Sequence, residues 1–362
     1  MKYYFIIDHP QQLASAIGYR LKYHLPKKDS ILIISNHLYW ENVNKSIIPQ
    51  YFSDHLFLPR PDYSILFFIQ IYRLFIAKYR FQNRYTVKPS DIFLCFSTCQ
   101  FIENLLISTY PHTRSILIHS AATHHHSVRK PSSHMVEKLD SLLANYFIFP
   151  LFNMYPTSYV IDKKDQFLGI KTRSRDGNSQ LRYRKELTSI YDEIYVLKNK
   201  GEKLKTHRLY HEIYYPFGSF SSKKQVKQLV IYLGQPFLNF QNTSTDTYLS
   251  LTNRCLRYLE IKYPNKTKIY RPHPRETTEV KRLSLGKFKL VSDKEIFELY
   301  LMEHARQIAA VYGVSSTGIR SAYNFGLPAF AFFPIFPFPK DVIANSYNIL
   351  GSLPRQSFIT EL

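Results

Sequence analysis

A histidine stands between two prolines and two arginines in Arg271-Pro272-His273-Pro274-Arg275-Glu276, directly after Lys268-Ile269-Tyr270. The prolines fix φ on either side and limit how the loop rearranges, so the imidazole is pre-aimed. An imidazole held in this way can stabilise or protonate a departing phosphate. Arg271 and Arg275 either supplement its charge or form a solvated flank. A second segment, Gly313-Val314-Ser315-Ser316-Thr317-Gly318, is a small-residue turn that opens a helix expected over 319–325. The hydroxyls of Ser315, Ser316 and Thr317 cap that helix or hold a phosphate, since one geometry serves both. Glu298 falls between the two segments on an expected helix. Its carboxylate there can accept both hydroxyls of a ribose; alone, it reads as a surface glutamate. Cations beside a fixed imidazole, with hydroxyls and free N–H groups at a helix start, are what holds a phosphate that leaves in a reaction. Together they imply chemistry on a sugar nucleotide.

Such residues need strand ends to carry them. Residues 2–7 are a short apolar run closed by Asp8-His9-Pro10, and 11–24 follow with helical periodicity. Residues 30–35, 91–96 and 115–118 read as buried strands, with a helix over 100–109 between the last two. Strand and helix in quick alternation predict a parallel α/β sheet. A second series begins at 228–233, a strand ended by Gly234-Gln235-Pro236. A helix over 247–263 and a strand over 268–270 lead into the histidine segment. A strand at 288–291, a helix at 294–304 and a strand at 307–312 lead into the serine turn, and 327–333 is a further strand. The polar, basic stretch 171–205 reads as irregular. The expected fold class is therefore α/β of the GT-B type: two Rossmann-like domains facing a central cleft, 1–205 and 206–362.

The chain has 362 residues, enough for two domains, and a hydrophobic content of 45%, which excludes disorder. Its formal charge of +21 implies an anionic partner: nucleic acid, a membrane surface, or phosphorylated or acidic substrates. No helix-turn-helix, zinc-finger or RRM signature is present and the basic residues are spread, so no nucleic-acid partner is expected. The three cysteines, Cys95, Cys99 and Cys255, form no CxxC pair, which fits a reducing cytoplasm. The N-terminal apolar run is too short for a signal peptide, and no stretch is long enough for a transmembrane helix. The expected location is cytoplasmic, with peripheral contact on the inner face of the membrane. Residues 63–81 mix Ile, Leu and Phe with Arg73, Lys78 and Arg80, as a basic amphipathic helix at an interface does; a core helix with a basic outer face reads the same way. His124-His125-His126 lacks the spacing of a zinc site and reads as a polar loop. Asp176-Gly177 reads as an ordinary turn.

The series strand, Pro-His-Pro-Arg, helical Glu and strand ending in Ser resembles the bacterial lipooligosaccharide sialyltransferases of glycosyltransferase family 52. Ser108-Thr109-Tyr110-Pro111 closes a helix before a strand, as in that family's N-terminal domain. Leu233-Gly234-Gln235-Pro236 is similar to its Leu-Gly-x-Pro turn at the start of the nucleotide domain. Asp8-His9-Pro10-Gln11-Gln12 sits where the family has a strand-end turn. The resemblance implies that His273 contacts the phosphate of cytidine monophosphate and acts as general acid. It implies that Glu298, or Glu295 in a shifted register, binds the ribose or base edge. Ser315 and Ser316 would hold the phosphate, with Thr317, Arg271, Arg275 and Gly234 around the nucleotide. It further implies inversion of configuration without metal or cofactor, a CMP-sugar donor, and a glycan acceptor on lipooligosaccharide or capsule at an anionic membrane surface. A homodimer is compatible with it.

Two segments depart from the family's pattern. An acidic-Gly turn is expected after the strand that follows Ser-Thr-Tyr-Pro, and this chain has Ile118-His119-Ser120-Ala121-Ala122. The Leu-Gly-x-Pro turn is followed in some members by a catalytic Asp, and here by Phe237-Leu238-Asn239. The acceptor hydroxyl must still lose its proton to a base. Asp246, His119 and Asp8 are the candidates. Alternatives to the sialyl reading are a transferase of the same fold using a UDP-hexose or CMP-Kdo, a basic nucleic-acid-binding protein, and a transferase fold kept as a structural partner.

Overall fold

Short apolar runs closed by turn residues become the strands of two sheets. The computed structural model describes residues 1–36, 40, 45–59, 67–96, 101–120, 148–154, 191–198, 210–214, 227–236, 244–273, 276, 280–291, 295–351 and 353–362. The chain divides into two compact units, one running to Pro216 and the other consisting in the main of Phe217–Leu362.

The first unit contains β1 (Tyr3–Ile7), α1 (Pro10–Lys22), β2 (Ser30–Asn36), α2 (Ile48–Tyr51), β3 (Asp54–Pro59) and α3 (Phe67–Arg84). It continues with β4 (Ile92–Cys95), α4 (Phe101–Thr109), β5 (Arg114–Ser120), β6 (Glu193–Lys198) and β7 (Tyr210–Tyr214). The sheet order is β3-β2-β1-β4-β5-β6-β7. From β3 to β6 each neighbouring pair is parallel. Strands buried on both faces read as continuous apolar runs, which is why β1, β2 and β4 were legible. Tyr4 and Ile6 of β1 pack with Phe93 of β4, Phe81 of α3 and Leu105 of α4 in one core. The Tyr4 ring lies 5.6 Å from both Phe81 and Phe93.

The second unit contains β8 (Leu229–Leu233), α5 (Thr245–Lys262), β9 (Thr267–Arg271), β10 (Phe288–Leu290) and α6 (Phe297–His304). Then follow β11 (Ile308–Gly313), α7 (Thr317–Asn324), β12 (Ala329–Ala331) and α8 (Lys340–Leu350). Its sheet runs β10-β9-β8-β11-β12, with every pair parallel. Tyr270, Tyr232 and Tyr312 stand at one level of β9, β8 and β11. The Tyr270 and Tyr232 rings stack 5.5 Å apart, and Phe332 stacks on Tyr232 and Tyr312. This aromatic row lies just beneath the strand ends that carry the candidate chemistry.

Both sheets have the Rossmann order, in which the chain crosses from one side of the central strand to the other, and each of the two units is a Rossmann-like α/β fold. One expectation fails. The stretch 171–205 is not irregular throughout, because β6 lies within it and pairs with β5. Its apolar centre, Ile194-Tyr195-Val196-Leu197, is short and sits between charged residues, and Glu193 is matched by an ion pair to Arg114 of the neighbouring strand. The expected helix at 63–81 is α3, which begins at Phe67 and extends to Arg84; residues 60–66 lie outside the described residues. The strand β3 and the helix α8 were not anticipated.

Candidate functional site

In an open parallel sheet, ligands bind beyond the carboxyl ends of the strands where the order reverses. In the second unit that point lies between β8 and β11. Gly234-Gln235-Pro236 leaves β8 there, Val314-Ser315-Ser316 leaves β11, and Pro272-His273 leaves the adjacent β9. The register makes Leu233, Arg271 and Gly313 the last paired residues of the three strands, so the three loops start at one level.

Side chains tie these loops together. Glu276 is buried and reaches back under the histidine loop. One of its carboxylate oxygens accepts from the Tyr270 hydroxyl, and the other accepts from the His273 backbone N–H at 3.1 Å. The Glu276 N–H in turn donates to the His273 carbonyl at 2.8 Å. The turn around His273 is therefore closed by hydrogen bonds as well as stiffened by proline. Burial, then the neighbouring Glu276 carboxylate, pushes the Tyr270 hydroxyl well above the ordinary tyrosine range. Tyr270 therefore stays protonated and donates.

Gly234 makes this closure possible. Its N–H donates to the Arg271 carbonyl at 2.8 Å. A Cβ at this position would lie 2.0 Å from a Glu276 carboxylate oxygen and 2.7 Å from the Tyr270 hydroxyl. Gly318 has a similar role in α7, where a Cβ would come within 2.7 Å of Leu233 and 2.9 Å of Phe297. Gln235 links the loop after β8 to the serine turn. Its Oε1 accepts from the Ser315 N–H at 2.9 Å, and its Nε2 donates to the Ser315 carbonyl at 3.5 Å. The Tyr248 hydroxyl of α5 donates to the Gln235 carbonyl at 3.0 Å.

The two serines divide their work. The Ser315 hydroxyl donates to the Ser346 hydroxyl of α8 at 2.8 Å. Ser316 is the N-cap of α7, and its hydroxyl accepts from the Gly318 N–H at 3.2 Å. Thr317 is the first residue of that helix. Arg271 is buried, so it is no solvated flank. Its guanidinium lies 4.3 Å from the Tyr300 ring centre and donates to the Glu295 carbonyl at 3.0 Å, with the Glu295 carboxylate 4.0 Å away. Glu298 is buried against α7, where one carboxylate oxygen accepts from the Ser321 hydroxyl at 2.9 Å. Burial raises its carboxyl above the ordinary value, only partly offset by hydrogen bonds and by Arg320 and Arg271. Glu298 is thus not an ordinary surface glutamate.

The base candidates are scattered. Asp246 is in the first turn of α5, its side chain 86% exposed and paired with Arg282 at 2.6 Å. His119 is in the first unit near the end of β5, paired in register with Val196. Asp8 follows β1, the strand at which the first sheet reverses its order, and is buried. Its N–H donates to the Gln12 Oε1 at 2.6 Å, and the His9 N–H donates to the same oxygen at 3.0 Å. His9 caps α1 in return, accepting from the Gln11 N–H at 3.4 Å. Arg275, Cys99, His124-His125-His126 and Asp176-Gly177 lie outside the described residues. Among the described residues no three His, Cys, Asp or Glu side chains cluster as a metal site requires, and no described helix is long and apolar enough to cross a membrane.

Sequence reasoning missed Glu276 and Gln235 as working parts. Both stood within the quoted motifs, and the available signal was that each is a polar residue directly beside a strand-end turn.

No protein-family model matches the chain, and no sequence among the curated proteins matches it. Solved structures align along nearly its whole length at low identity. An α/β-galactoside α-2,3-sialyltransferase from Photobacterium phosphoreum has a TM-score of 0.49 and 12% identity, over 99% of this chain and 98% of that one. A UDP-GlcNAc 2-epimerase from Methanocaldococcus jannaschii has a TM-score of 0.46 and 13% identity, over 97% and 91%. MurG from Acinetobacter baumannii has a TM-score of 0.43 and 8% identity, over 97% and 82%. No substrate or activity follows from likeness at this level.

Proposed function

We propose that the protein is an inverting glycosyltransferase that uses a CMP-sugar, with sialic acid as the sugar and a terminal galactose of a lipooligosaccharide or capsular glycan as acceptor. One observation carries this reading. At the reversal point of a Rossmann-like sheet, the Gly234 N–H bonds to the end of β9 at Arg271, Gln235 bonds to the backbone of Ser315, and Glu276 closes the turn at His273. Rigid loops with an imidazole, backbone N–H groups and a helix start can bind and stabilise a departing phosphate with little reorganisation.

In this mechanism the acceptor oxygen attacks the anomeric carbon as the bond from that carbon to the phosphate oxygen breaks. His273 gives its proton to the leaving CMP phosphate, and the N-terminal turn of α7 holds the phosphate through Ser316 and Thr317. Glu298 or Glu295 binds the ribose, and Arg271 keeps α6 and its glutamates in position. The acceptor proton goes to a base. The candidates for it are Asp246, His119 and Asp8. The acceptor is held at an anionic membrane surface.

Release of CMP from CMP-sialic acid in the presence of a galactosyl glycan tests the reading. His273→Ala should lower turnover by about 10²- to 10⁴-fold, the range for one acid–base group, with an unchanged melting temperature. An unchanged rate removes His273 from the mechanism. Turnover only with a UDP-hexose or CMP-Kdo reassigns the donor.

A further inference from the structure

The helix α3 carries two stripes, one buried and one exposed. Gln70, Leu74, Ala77 and Phe81 recur at spacings of four, three and four residues and are buried. Phe68, Tyr72, Phe75 and Tyr79 recur at the same spacings, shifted by two positions, and are 80%, 64%, 52% and 67% exposed. A helix turns so that positions related by these spacings share a face, and a shift of two puts the second stripe nearly opposite the first. The four exposed rings form a line about 16 Å long. Phe75 touches Phe152, ring centres 4.8 Å apart, and Leu151 beside it is also exposed, which widens the apolar surface.

The charges around this stripe share one sign. Arg73 and Arg80 fall on one shoulder of the aromatic line and Lys78 on the other, and the helix has no Asp or Glu in its 18 residues. Arg84, at its last turn, is used within the unit through Asp54, 2.5 Å away. Apolar rings flanked by cations on stems long enough to reach sideways match the boundary between acyl chains and anionic headgroups. Tyrosines suit it further, since the ring is apolar and the hydroxyl stays wet.

We infer that the outer face of α3 is a docking surface for an anionic lipid bilayer. The helix lies along the interface with Phe68, Tyr72, Phe75 and Tyr79 inserted and Lys78 and Arg80 at headgroup phosphates. A second copy of the chain suits this face less well. A two-fold contact sets each patch against its own kind, so these cations would face the same cations. The inference takes from the functional reading only a membrane-held acceptor, and it is tested with no nucleotide or glycan present, so the two can fail separately.

The test is flotation of the full chain with vesicles of phosphatidylcholine alone and of phosphatidylcholine with phosphatidylglycerol. The wild type should float with the phosphatidylglycerol vesicles, and added salt should weaken that binding. The triple variant Phe68→Ser/Tyr72→Ser/Tyr79→Ser should lose at least about tenfold in partitioning. Lys78→Glu/Arg80→Glu, which leaves every ring in place, should lose about as much on anionic vesicles. Unaltered melting temperatures show that both variants are folded. Equal binding by wild type and variants overturns the assignment, as does a wild type that stays unbound. A concentration-dependent dimer that the triple variant abolishes also overturns it, in favour of a second copy.

Discussion

The strand-end loops of the second sheet and the turn after β1 in the first sheet do the same topological job and are held in different ways. After β1, Gln12 reaches back to the N–H groups of Asp8 and His9, so each bond spans four residues or fewer. In the second sheet, Gln235 bonds to Ser315 across 80 positions, and Ser315 bonds to Ser346 across a further 31. The turn after β1 forms largely with its own helix, with one longer bond from the Trp40 indole N–H to the Asp8 carbonyl across 32 positions. A turn made of three loops exists only when the whole sheet is assembled, and in return it fixes the relative positions of an imidazole, a helix start and a glycine backbone. The difference teaches where positional accuracy has been concentrated: on the side where a nucleotide phosphate would sit.

The largest effect should come from breaking the non-local side. Gly234→Ala puts a methyl group into the space of the Glu276 carboxylate and should cost about 3 kcal/mol, read by urea unfolding, as overpacking does. It should also weaken CMP binding, because Glu276 holds the His273 N–H. A smaller effect is expected from Gln12→Ala, which removes the acceptor of a capping box and should cost about 1 kcal/mol. CMP binding should be untouched by it, and a loss of binding would erase the distinction between the two regions. The smallest effect concerns Glu298. Its folded-state carboxyl is raised by burial, so its contribution to stability is full below the ordinary value of 4.5 and is lost as pH rises through the raised value. Glu298→Gln should therefore gain roughly 0.5 kcal/mol over the wild type near neutral pH, and the gain should vanish in acid. Stability profiles of the two proteins that stay parallel between about pH 4 and pH 7 would contradict this.

The sequence was most legible where one residue's neighbours in sequence are also its neighbours in space. Apolar runs such as Phe5-Ile6-Ile7 and Val230-Ile231-Tyr232 announce buried parallel strands because both faces are covered. The prolines around His273 and the serines before α7 announce themselves for the same local reason. The edge of that legibility is seen at β6, whose first residue, Glu193, finds its partner in Arg114 of another strand. It is seen again at Glu276, which looked like the tail of a basic motif. Its role depends on Tyr270 lying beneath it and on the missing side chain of Gly234 in the loop after a neighbouring strand. Arg271 stands in the same motif as His273, yet packing against Tyr300 turns it to the support of α6. Spacing alone cannot separate an arginine that faces a ligand from one that braces a helix.

The central claim is that the loops after β8, β9 and β11 bind the CMP part of a sugar nucleotide. Thermal melting of the full chain with CMP, UMP, UDP and GDP, each at equal concentration, tests it most directly. A ligand that binds only the folded state at 100 times its Kd stabilises by about 2.7 kcal/mol, which is a readable shift. The account predicts an upward shift with CMP, little or none with the other three, and its loss in Gly234→Ala measured against that variant's own baseline. No shift with CMP, or an equal shift with UDP or GDP, would contradict it.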